Sequence, residues 1–158
     1  MDFALIPFAG GFIQKQAADE VIKCNDYTAR FGLVLTVEQA SELVETRATA
    51  LRENGRIEFG GGVIDKIIKE FCDSPFISMR NYAQTMHELL EIFYYYKNET
   101  LDLVSDEDLI KRMKESFDGV CQGSLELLAG REFDSYARGI RFGYSDEPED
   151  EEDEDEQS

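Results

Sequence analysis

Apolar residues return every three or four positions through most of this chain, the spacing that turns one face of an α-helix toward a core. Between Phe12 and Phe31 the stripe is Ile13, Ala17, Val21, Cys24 and Phe31, with Gln14, Lys15, Asp19, Glu20 and Lys23 opposite and Gly32 as the stop. Thr36-Val37-Glu38-Gln39 reads as a capping box, in which the Thr hydroxyl and the Gln side chain satisfy backbone donors at a helix start. The helix it opens carries Val37, Ala40, Leu43, Val44, Ala48 and Leu51 on one face and leaves through Asn54-Gly55.

Arg56-Ile57-Glu58-Phe59 alternates polar with apolar residues and predicts a short extended segment, cut off by Gly60-Gly61-Gly62. Val63, Ile64, Ile67, Ile68 and Phe71 predict a short helix that Ser74-Pro75 ends. The longest stripe, Tyr82, Met86, Leu89, Leu90, Phe93 and Tyr96, runs toward Thr100 from a cap at Ser78. After Ser105, three acids occupy a first turn, where they favour the positive end of the helix dipole, ahead of Leu109, Ile110, Met113 and Phe117. Val120, Cys121, Ser124, Leu125 and Leu128 predict a further helix up to Gly130, and residues 131–138 a closing turn or two.

The pattern therefore predicts a mainly α fold, a compact single-core bundle of about five to seven helices joined by short polar links. The helical domain spans 1–144, and 145–158 form a disordered acidic tail. From Asp146 to Glu156 every residue but Pro148 is acidic, so this stretch has no apolar area to offset the cost of ordering.

Charge narrows the function classes. The net charge is -18 over 158 residues, and the part before the tail is acidic too. Phosphate backbones and anionic membrane surfaces are repelled, which argues against direct nucleic-acid or membrane binding. No apolar run approaches the roughly 20 residues that cross a bilayer. The apolar start has Asp2 where a signal peptide carries bases, and Cys24, Cys72 and Cys121 are odd in number and far apart. Both features point to a cytoplasmic protein with reduced thiols.

The run Gly55 to Pro75, GRIEFGGGVIDKIIKEFCDSP, together with Phe117 to Glu126, FDGVCQGSLE, resembles an uncharacterised family from anaerobic Gram-positive bacteria. The resemblance covers nearly all of the chain before the tail. It implies a bacterial, cytoplasmic protein and supplies no mechanism.

Gly60, Gly61 and Gly62 before a helix can present backbone N–H groups to an anion, with Arg56 and Lys66 as assisting cations. The run lacks both the phosphate-loop ending and the dinucleotide fingerprint, so a tight turn between helices is the competing reading. His87 is the sole histidine, and Glu91 stands where a zinc-protease helix has its second one. No metal site and no cofactor are expected. The cysteines lie on or beside apolar stripes, as inert core thiols do.

In Phe93-Tyr94-Tyr95-Tyr96 successive residues advance about 100°, so they cannot all face one core. Tyr95 falls on the polar row of Gln84, Glu88, Glu91 and Glu99, which marks Tyr95 and Glu91 as candidate interface residues. The sequence reading is a non-enzymatic helical module that binds a protein partner or self-associates. The alternative is a small anionic-ligand-binding protein, or an enzyme, using the glycine turn.

Overall fold

The computed structural model describes residues 2–58 and 60–142, with side chains for all of these except 2–10, 12 and 131–133. The described residues are mainly helical and include no strand. Phe59 and the acidic stretch 145–158 lie outside them. The helices are α1 (Asp2–Lys23), α2 (Asn25–Thr28), α3 (Val37–Asn54), α4 (Gly62–Phe71), α5 (Tyr82–Glu99), α6 (Asp106–Asp118), α7 (Leu125–Ala129) and α8 (Arg131–Arg141), with a 3-10 turn at Ala29–Phe31. The chain divides into two compact units between Glu91 and Ile92, inside α5.

In the first unit α1 packs on α3, and α4 touches both. Most of the predicted stripes are buried here: Ala17 and Val21 of α1, Ala40, Leu43 and Val44 of α3, Val63, Ile64, Ile67, Ile68 and Phe71 of α4, and Tyr82, Met86, Leu89 and Leu90 of α5; Ile13 and Val37, expected on the same faces, are exposed. At 10 residues, α4 is shorter than the roughly 12–15 an isolated helix needs in water, so its burial is what holds it helical. Leu43, Ile64, Ile67, Ile68, Met86 and Leu90 meet around a packing gap too small for water.

Three boundaries differ from the pattern. The first helix breaks at Cys24, whose carbonyl accepts from both Tyr27 and Thr28 N–H at 2.9 Å. Beyond it, Asn25 and Thr28 bond to the following loop, the local competition that polar side chains offer to a helix. The fifth helix starts at Tyr82 and not after Ser78, because Asn81 Oδ1 accepts the Ser78 N–H at 2.9 Å and closes a turn there. Val120 and Cys121 sit in a turn, with Gln122 and Gly123 left-handed (φ 47° and 82°), and α7 begins after Ser124 caps Leu127 N–H.

The capping box at Thr36 forms with both of its bonds, 2.9 and 3.1 Å. Arg56 to Glu58 form an irregular link. In the second unit α6 packs on α7 and α8, burying Leu109, Ile110, Met113, Phe117 and Leu128. The Tyr96 hydroxyl donates toward Leu128 O and Gly130 O, 3.2 Å each, and so ties down the end of α7.

Candidate functional site

The three glycines lead into α4 through a turn in which the chain's own charged side chains occupy the space a Cβ would take. Gly60 and Gly62 have φ of 60° and 50°, a region open to glycine. Gly61 is helical at -74°, but a Cβ there would lie 2.0 Å from Asp65 Oδ2. The space is taken by charged groups from three elements. Glu20 of α1 accepts the Gly61 N–H at 2.9 Å, and Glu58 accepts the Val63 N–H at 3.3 Å. Arg47 of α3, 4% exposed, donates to Gly60 O at 2.7 Å and pairs with Glu58 at 3.5 Å.

Two donors that an external anion would use, the Gly61 and Val63 N–H groups, are thus bound to the chain's own carboxylates. Of the expected assisting cations, Arg56 is half-buried on the preceding link and Lys66 is exposed on α4. Arg47, which the sequence reading did not single out, is bonded to the turn. Its signal was weak: an arginine beside Val44 and Leu51 on the apolar face of α3 looks like a boundary residue.

Beside the turn, Glu20, Lys23, Cys24, Asp26, Tyr27, Asp65 and Lys69 surround a surface hollow of about 330 Å³. Cys24 Sγ donates to Asp65 Oδ1 at 3.5 Å. Burial, then the charge and hydrogen bond of Asp65, push the thiol up to about 12. Cys24 is therefore a hydrogen-bond donor at neutral pH and not a thiolate nucleophile. Burial also pushes the Asp65 carboxyl above its usual range; Glu20 adds to this, while Cys24, Lys69 and Arg47 oppose it.

Elsewhere the candidate chemistry is dispersed. His87 Nδ1 lies 2.8 Å from Thr46 Oγ1, a contact between α5 and α3. Cys24, Cys72 and Cys121 are buried free thiols. Among the described residues no group of three or more His, Cys, Asp or Glu side chains is placed to hold a metal. Tyr95 is 50% exposed and meets Tyr96 edge-on at 5.0 Å; Glu91 is exposed one turn earlier on α5.

A second exposed aromatic group includes Phe31, which the sequence reading assigned to the core. Tyr27 and Phe31 are partly exposed with ring centroids 6.0 Å apart, and the Arg30 guanidinium stands 4.5 Å over the Tyr27 ring. Arg30 Nε also donates to Tyr27 O at 3.1 Å. The following loop is fixed: Asn25 donates to Leu35 O at 3.0 Å and accepts Leu35 N–H at 2.9 Å, and Thr28 Oγ1 donates to Leu33 O at 2.7 Å. Leu33 and Leu35 are buried, which turns the intervening Val34 outward, and Val37 is 68% exposed. The legible signal was Tyr27, Arg30 and Phe31 at i, i+3, i+4, one helical ridge of three large side chains.

The model of a family described as "Family of unknown function (DUF6323)" matches residues 20–146. No curated protein and no solved structure matches the chain.

Proposed function

Because the chain belongs to the DUF6323 family, whose function is unknown, we propose its role from its surface: a non-enzymatic helical module that binds another protein through the segment Tyr27–Val37. The observation that carries this reading is a fixed loop presenting Tyr27, Arg30, Phe31, Val34 and Val37 to solvent. Tyrosine and arginine dominate binding hot spots, and a surface held in place before binding loses little entropy on contact. We place the module in the cytoplasm of a bacterium, a reading that the three buried free thiols support. With a net charge of -18, a different protein is favoured over a second copy of this chain, because like charges oppose self-association.

Tyr95 and Glu91 are a lesser contact in this proposal, since one half-exposed ring on a helix offers less area than the Tyr27–Val37 cluster. The anion-binding reading is weaker, because a ligand at the glycine turn would have to displace Glu20 and Glu58 from the amides they occupy.

A photo-crosslinking residue in place of Val34, introduced in cells, tests the proposal. Discrete heavier adducts of one identified protein are expected from position 34 and not from the same residue at the exposed Glu53. Equal yields at both positions, together with a monomeric mass in solution, would sink it.

A further inference from the structure

The turn that follows α5 reaches left-handed backbone without glycine: Leu101 has φ 55° and Asp102 φ 61°. Aspartate tolerates this region, but leucine is rare there because its Cβ crowds the backbone. Leu101 is also 57% exposed and Leu103 65% exposed, so neither leucine is held in this place by a core.

The inner side of the turn is polar. Lys97, 9% exposed, donates to Val104 O and pairs with Asp106 at 2.8 Å. Thr100, fully buried, donates to Tyr96 O at 2.9 Å. The backbone is fixed as well: Leu101 N–H bonds to Asn98 O at 3.0 Å, Asp102 N–H to Lys97 O at 3.2 Å and Leu103 N–H to Thr100 O at 3.0 Å. Arg141 of α8 holds both the carbonyl and the carboxylate of Glu99 just before it. These bonds close α5 as a Schellman helix end, with Leu101 in the left-handed position that glycine usually fills, so an exposed leucine is kept there at a cost to the fold.

We propose that Leu101 and Leu103 form a docking point for a basic amphipathic segment of another protein. An apolar side chain of that segment seats on the two leucines, and its Lys or Arg residues meet the exposed carboxylates of Asp102, Glu107 and Asp108. Charge selects this occupant. A second copy of a chain at -18 meets repulsion, and so does an anionic lipid surface. Lys111, exposed one turn further along α6, and the half-buried Arg112 beside it border these carboxylates and limit the basic footprint. The surface lies in the second unit and does not depend on the Tyr27–Val37 reading.

The full chain, titrated with a fluorescent Leu-Lys amphipathic helical peptide, tests this, with a Leu-Glu peptide and a Gly-Ser-Lys peptide of equal length as controls. The Leu-Lys peptide is expected to bind about tenfold more tightly than either control, and Leu101→Gly and Leu103→Ser each to weaken it about tenfold. Leu101→Gly separates binding from structure, because glycine adopts the left-handed turn freely: its Tm is expected to rise by roughly 2–4 °C while binding falls. A Tm that does not rise, or peptide binding that survives both substitutions, overturns the proposal. So does a sedimentation profile showing a dimer that Leu103→Ser dissolves, which would assign this face to a second copy.

Discussion

Two turns in this chain adopt left-handed backbone by opposite means. At Gly60–Gly62 the residues are glycines, and the space their missing side chains leave is filled by Glu20, Glu58, Asp65 and Arg47. At Leu101–Asp102 the residues carry side chains, the inner space is filled by Lys97 and Thr100, and the leucines stand in solvent. The first arrangement is built for stability, since the Gly61 and Val63 amides and the Gly60 carbonyl are bonded from within. The second accepts left-handed strain and exposed apolar area, each unfavourable for folding, and yields only surface. A conspicuous motif therefore marks architecture here, while an inconspicuous one marks a candidate for function.

Breaking the first turn should give the largest effect. Arg47→Ala takes a cation from beside the partly buried Glu58 carboxylate and a donor from Gly60 O. A loss of about 3–5 kcal/mol is expected, read from urea unfolding midpoints. If the loss is under about 1 kcal/mol, the network is merely a surface pair. Gly62→Ala should cost less, about 2 kcal/mol, because it forces alanine to positive φ and places a Cβ 2.7 Å from both Arg47 Nη1 and Glu58 Oε1. Leu101→Gly should move stability the other way, by roughly 0.5–1 kcal/mol. Opposite signs for these two exchanges of glycine are the sharpest form of the comparison, and equal signs would erase it.

How much of this the sequence made legible follows from the range of each interaction. The stripes of α3, α4 and α6, the cap at Thr36 and the acidic first turn of α6 are local, set by residues three and four apart, and they could be read directly. The break at Cys24 could not, because Asn25 bonds to Leu35 ten residues away and nothing in the stripe announces it. Phe31 matched the helical period and still ended partly exposed, since the turn of chain that would have carried it inward had already changed to 3-10 geometry. The glycine turn was located correctly, but its occupants came from 41 residues away at Glu20 and 13 residues away at Arg47. Periodicity carries no information about such pairings. Leu101 gave no signal at all: its left-handed φ depends on how α5 ends, which composition alone does not reveal.

The smallest effect expected concerns the carboxylates packed against the glycine turn. Asp65 sits in the first turn of α4, where the dipole favours its charged form, yet burial and the neighbouring Glu20 outweigh this and raise its pKa above the ordinary value of 3.8. A carboxyl raised in the folded state binds its proton more tightly there than in the unfolded chain. Stability therefore falls as pH rises from the ordinary carboxylate value through the folded one, and is then flat. Asp65→Asn removes that dependence while leaving an oxygen for the Cys24 thiol to donate to. Wild type is thus expected to gain on the variant in Tm as pH falls from neutrality toward the ordinary Asp range, and to be no more stable than the variant at pH 7. A Tm difference that stays constant across that window would mean the charge on Asp65 is balanced by Lys69 and Arg47, and the turn would then be electrostatically neutral ground.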